Sequence, residues 1–275
     1  MYSFSGKIKL VAIISMVVGL LGIGYSFIAT PSTVEALGAH ASHDPAHAEH
    51  VLHLLQNKPW AALYVAALFF MLISLGVLAF YAINRAAQAG WAPILFRGME
   101  GITGYLPIGA LIFFLLLVFS GLHFNHLFIW MDPAVVAHDK VIQGKTGYLN
   151  VPFFLVRAAV YMLGWIAYRQ ITRKLSKAQD QAHDNRPFVK AFKWSAGFLV
   201  FFLVSESMMS WDWVMSVDPH WFSTLFGWYV FGSLIASAIA AIILVTVTLK
   251  SQGYLEHVND SHLHDLAKYL FGFSI

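Results

Sequence analysis

The residues with most capacity for chemistry lie between Glu206 and Ser223, in the run ESMMSWDWVMSVDPHWFS. This block carries Glu206, Asp212, Asp218 and His220, with Trp211, Trp213 and Trp221 between them. It opens inside a long apolar stretch. A carboxylate at the centre of a bilayer costs roughly 2.5–3.5 kcal/mol on insertion scales, so such acids mark a partner, a watered cavity or a proton to be moved. Three further groups join them: Arg157 inside another apolar stretch, and His123 and His126 at the end of a third. Together these are proton donors and acceptors with one guanidinium to balance charge, a set suited to acid–base chemistry.

The elements that must position these groups are membrane helices. The chain has 275 residues, 59% hydrophobic and only 11% charged, against about 25% charged in soluble domains. Six apolar segments are long enough to cross a bilayer: residues 10–29, 60–83, 104–122, 151–168, 194–213 and 222–249. A helix needs about 20 residues for the crossing, and runs of this kind indicate helices rather than a barrel. The expected fold is therefore an all-α, polytopic membrane bundle with six full spans. A seventh run, 266–275, is apolar but too short to cross, and its lack of a polar exit leads us to expect that the protein continues beyond it.

With the N-terminus inside, thirteen Lys and Arg fall on the inner side and three (Lys58, Lys140, Lys145) on the outer side. This bias orients the chain with a cytoplasmic N-terminus. Trp60, Trp130, Trp211, Trp213 and Trp221 then mark the outer interface, and Trp91 and Trp194 the inner one. The first span, preceded by Lys7 and Lys9, is long for a secretion signal and reads as a retained helix. Cysteine is absent, which removes disulfides, thiolate-bound iron–sulfur clusters and covalent c-type haem from this chain. The only histidines in or at the ends of the spans, His123 and His126, share one helix, so no b-type haem is expected. The small net charge of +3 calls for no nucleic-acid partner.

At 1.5 Å per residue, Arg157 lies ~9 Å and Glu206 ~12 Å below the outer face of a ~30 Å core. The two sit on consecutive antiparallel helices, so an Arg157–Glu206 pair is expected. Asp212 is expected near the outer boundary, forming an outer rim with Asp218 and His220. His123 and His126 are expected one turn apart on one helix face. The fourth span presents Arg157, Tyr161 and Trp165 on one face, and the fifth presents Glu206, Ser210 and Trp213. Each feature also has a structural reading: an intramembrane pair that only fixes packing, histidines that cap a helix end, and Asp-Pro steps at 132–133 and 218–219 that only make turns. The histidines of the first outer loop (His40, His43, His47, His50, His53) step by three or four, which we read as a solvated amphipathic segment rather than a metal site.

Three stretches, GLHFNHLFIWMDP, GYLNVPFFLVRAAVYMLGW and SWDWVMSVDPHWFSTLFGWYVFGS, resemble the second of the two related large membrane subunits of alternative complex III. This is a quinol:cytochrome c oxidoreductase, and these quinone-binding subunits are related to the membrane anchor of polysulfide reductase. The resemblance runs from the third span onward. It implies ten helices in two four-helix bundles with flanking helices. On that plan, 1–29 is a flanking helix, 30–58 an outer His-rich loop, 59–215 the first bundle and 216–275 the incomplete start of the second.

The resemblance further implies a bacterial inner-membrane protein with no redox centre of its own. Haem c and iron–sulfur clusters would sit only in partners: an iron–sulfur subunit, multihaem and monohaem cytochrome c subunits, a homologous quinone-binding membrane subunit and, as a further candidate, a haem-copper terminal oxidase, with membrane lipid around them. His123, His126, Glu206, Asp212 and Asp218 are then the proton-transfer candidates, with Arg157 as charge partner and a quinone near Arg157 and Glu206 as the one small-molecule candidate. Against this stands a purely structural scaffold for redox partners. A stand-alone transporter fits less well, because its polar groups should cluster at the midplane.

Overall fold

The structure is a computed structural model that describes residues 6–34 and 45–275, without the side chains of residues 45–47, 49 and 50. His40 and His43, and the side chains of His47 and His50, lie outside the described residues. All regular structure among the described residues is helical. In chain order the helices are α1 (Gly6–Ala29), α2 (Pro45–Ala86), α3 (Phe96–Ile102), α4 (Leu106–Gly121), α5 (Pro133–His138), α6 (Lys140–Gln143), α7 (Val151–Gln181), α8 (Arg186–Trp213), α9 (Phe226–Ser251) and α10 (Asp260–Ser274). Among the described residues, six helical stretches are long and apolar enough to cross a membrane, which makes this a multi-pass membrane-embedded protein.

Several helices extend past the apolar runs that announce them. α2 starts at Pro45, inside the segment read as an outer loop, and runs through Pro59 for 42 residues. α7 continues thirteen residues beyond Tyr168 to Gln181, and α8 opens at Arg186. The expected connector between them therefore shrinks to residues 182–185. Its Lys, Gln and Ala residues are good helix formers, so the helix persists after hydrophobicity stops. The final apolar run belongs to α10, which opens with a capping box on Asn259 and buries Leu266.

α2, α4, α7 and α8 close a four-helix ring, each packing on its two neighbours, while α9 packs on α2 and α8, and α10 on α9. α1 packs on α2 and buries none of its residues. Close approach depends on missing side chains. A Cβ on Gly76 of α2 would lie 2.7 Å from the Leu234 carbonyl oxygen and 2.8 Å from the Ala238 Cβ of α9. Small residues allow such backbone proximity where lipid supplies no hydrophobic drive. The core runs along the axis through Met71, Leu75, Phe113, Phe154, Trp165, Phe202, Met209 and Trp213. One end of the bundle gathers residues 122–150 and 214–225 and is poor in cations. The other carries Arg85, Arg97, Arg169, Arg173 and the lysines that follow.

Candidate functional site

The buried polar groups of the cation-poor half are held by α7 and α8. α7 starts on Asn150, whose side chain accepts from the Phe153 N–H, with Pro152 in the first turn. Arg157, Tyr161 and Trp165 follow at one-turn steps and are all buried. α8 runs antiparallel, so Asp212 meets the 157–161 turn while Ser205 meets Trp165. Trp165 Nε1 donates to Ser205 Oγ at 2.9 Å, and one turn or so further on Tyr168 Oη meets Ser195 Oγ at 2.8 Å.

Arg157 pairs with Asp212, not with Glu206. Its Nε donates to Asp212 Oδ2 and its Nη2 to Oδ1, both at 2.8 Å, and Nη1 donates to the Tyr148 carbonyl at 3.0 Å. Tyr161 Oη adds a bond to Oδ2 at 3.2 Å. The guanidinium is flanked by the rings of Tyr148 and Phe153, at 3.9 and 4.2 Å from the centroids. Asp212 itself is fully buried, so it is no rim residue. Two-pronged geometry of this kind is what a planar guanidinium and a carboxylate favour. The expectation failed on level as well as rotation: Glu206 lies ~9 Å along α8 from the Asp212 that meets Arg157. Glu206 and Asp212 are six residues apart, hence about 120° apart around α8, and only Asp212 shares the Ser205 face that meets α7.

Glu206 is 2% exposed and its Oε1 is buried without a hydrogen-bond partner. No cation among the described residues lies within ion-pair distance of it. It falls on the stripe of Phe202, Met209 and Trp213, all buried, with the Ser207 hydroxyl as its polar neighbour. Trp213 in turn packs its ring against Phe113 and Trp165, at centroid distances of 5.0 and 5.8 Å, and its carbonyl accepts from Tyr64 Oη at 2.7 Å.

The histidines are not one turn apart on a helix. α4 stops at Gly121, and His123 adopts φ 62°, in the left-handed region. The His123 N–H donates to the Ser120 carbonyl and the Phe124 N–H to the Phe119 carbonyl, each at 3.0 Å. This is a Schellman cap with His123 in the position usually held by glycine. The following loop is tied to α2 by Asn57, which donates to the His126 carbonyl at 3.1 Å and accepts its N–H at 2.8 Å. The His126 ring meets His53 edge-on, with centroids 4.7 Å apart. Burial and the facing His53 hold the His126 imidazole below its ordinary value.

Asp218 is exposed, and its side chain accepts from the His220 N–H at 3.2 Å, closing the turn. Asp132 does the same for Ala134 at 2.8 Å, so both Asp-Pro steps are capped turns. Sequence reasoning missed Asp139. It caps α6, and its Oδ2 lies 2.6 Å from His220 Nε2, joining the loops after α4 and α8. The Ile142 and Val141 N–H groups and His220 keep its carboxyl below the usual range. Lys145 Nζ adds a second tie, donating to the Pro219 carbonyl at 2.5 Å. Among the described residues no cluster of three or more His, Asp or Glu is placed to hold a metal ion. No protein-family model matches the chain, and no curated protein matches it.

Proposed function

We propose that this chain is a membrane subunit of a respiratory quinol:cytochrome c oxidoreductase of the alternative complex III kind, in a bacterial inner membrane. It contributes proton transfer beside quinol oxidation and anchors the redox subunits. The observation that carries this reading is the contrast between the two buried acids. Asp212 has its hydrogen bonds from Arg157 and Tyr161, whereas Glu206 is buried with an unpartnered oxygen and no cation. A buried carboxyl is retained at that cost where a proton has to come and go.

Quinol oxidation yields two electrons and two protons. The electrons pass to the iron–sulfur and haem centres of partner subunits. Glu206 takes up and passes on a proton, His126 and Asp218 lie toward the outer exit, and the Arg157–Asp212 pair keeps the local charge fixed. The purified complex tests this with Glu206→Gln, measuring quinol:cytochrome c turnover and protons released per electron in vesicles. The expected result is a loss of turnover or of the proton ratio with the complex intact. Unchanged values for both would remove Glu206 from the reaction.

One observation favours the rival reading of a structural scaffold. The Arg157–Asp212–Tyr161 network is saturated, as packing determinants are. On that reading Arg157→Ala impairs assembly of the complex, while Glu206→Gln changes neither assembly nor turnover.

A further inference from the structure

Arg85, Arg97, Arg169 and Arg173 gather at the cation-rich end, and among the described residues the last two have no hydrogen bond. Arg97 is committed: Nη1 donates to Glu100 Oε2 at 3.0 Å, and Nη2 reaches the Ser176 carbonyl and Asp180. Arg85 is committed as well, with Nε on the Tyr81 hydroxyl at 3.1 Å and its guanidinium over the Phe96 ring at 4.4 Å. Arg173 stands 3.8 Å from the Glu100 carboxylate that Arg97 already holds, and its side chain is 38% exposed. Arg169, one turn before it on α7, has a buried Nε with no partner. Among the described residues, the carboxylates paired with these four arginines are Glu100 and Asp180, which leaves two positive charges in excess.

An apolar groove lies next to these arginines. It encloses about 430 Å³ between α4 and α7 and is lined by Pro107, Leu111 and Phe114 on one side and Met162, Leu163 and Ile166 on the other. Leu111 and Leu163 leave it open on the side that faces lipid. It leads toward Arg169, which sits ~4.5 Å along α7 beyond Ile166. The Arg169 head lies over Gly104, with Nη2 3.6 Å from where a Cβ there would be, one turn before the groove residue Pro107.

We propose that this is a binding site for one anionic phospholipid. Its phosphate is held by Arg169 and Arg173, and an acyl chain lies in the α4/α7 groove. Guanidinium forks match phosphate oxygens, and basic clusters at the cytoplasmic ends of spans recruit anionic headgroups. The groove next to the charge selects an amphiphile over a soluble phosphate.

Native mass spectrometry of the full chain tests this after exchange into micelles containing phosphatidylglycerol, phosphatidylcholine or diacylglycerol. The wild type should retain one phosphatidylglycerol in preference to the other two. Arg169→Gln with Arg173→Gln should lower that retention about tenfold or more, the loss of two charge-assisted contacts. Lysine at both positions should restore most of it, which separates lost binding from misfolding. Ala159→Trp, which fills the groove and spares the arginines, should also lower retention. The proposal is overturned if the glutamine variant retains phosphatidylglycerol like the wild type, or if diacylglycerol is retained equally well. It is also overturned if inorganic phosphate binds to the arginines while Ala159→Trp leaves lipid retention unchanged.

Discussion

The fate of a buried carboxylate in this protein is decided by its level along α8 and its angle around it. Asp212 faces α7 and meets Arg157; Glu206, six residues earlier and about 120° away, lies on the stripe of Phe202, Met209 and Trp213 with the Ser207 hydroxyl beside it. Removing one partner of a buried pair strands the other, at about 3–5 kcal/mol. Arg157→Met or Asp212→Asn should therefore destabilise the protein by that order in a reversible denaturation series. The double variant Arg157→Met with Asp212→Leu should recover most of the loss, because neither charge remains. Equal losses in the single and double variants would count against the pair.

His123 shows a different local cause. A non-glycine residue in the left-handed region costs ~1–2 kcal/mol, so His123→Gly should hold or raise stability. It should leave turnover unchanged if the residue is only a cap. The residue types of this site were legible in the sequence, as was the burial of Arg157 and Glu206. The pairing was not, since a span boundary fixes neither the register of α7 against α8 nor their rotation. The Arg157, Tyr161, Trp165 face was read correctly; what was missing was that Ser205 and Asp212, two turns apart, make the matching face.

At the scale of elements, helix ends and loops set how the site is closed. Hydrophobicity marked the six spans but not their ends, because α2, α7 and α8 run on through polar residues that favour helix for their own reasons. The loop clamps were not legible at all: Asn57 on His126 and Asp139 on His220 join residues far apart in the chain. They give a pH dependence with a definite sign. The fold holds His126 neutral, so protonation works against it: the penalty sets in as pH falls below about 6.5 and is complete below the depressed folded value. Hydrogen exchange across 122–128 should accordingly speed up from about pH 7.5 to about pH 5.5 beyond the intrinsic rate change. Asp139 contributes above about pH 4 and loses that contribution as pH falls through its lowered folded value.

Helix packing has its own test. Gly76→Ala drives a methyl into the Leu234 backbone and should cost about 1–3 kcal/mol. Gly164→Ala meets the partly buried Phe201 ring, 2.4 Å away, a side chain rather than backbone, and should cost less. Thermal unfolding of the two variants compares them directly.

The whole molecule is a four-helix ring with α9 and α10 laid against one side and α1 on α2. Its two ends differ in charge and in chemistry. The cation-rich end offers two guanidiniums without hydrogen bonds, those of Arg169 and Arg173, next to an apolar groove. The cation-poor half offers a locked ion pair beside an unpaired acid. The class of fold was legible from composition and span length alone, because a bilayer admits so few solutions. The division into a completed bundle and the start of another was a matter of resemblance, and here α9 packs directly on α2 and α8.

The central claim is that Glu206 exchanges a proton while Asp212 stays fixed. Infrared difference spectroscopy of the reconstituted complex, recorded on adding quinol, tests it most directly. A carboxyl C=O band that changes with quinol in the wild type and is lost in Glu206→Gln is the result this account predicts. A quinol-dependent carboxyl spectrum that is the same in wild type and Glu206→Gln would contradict it.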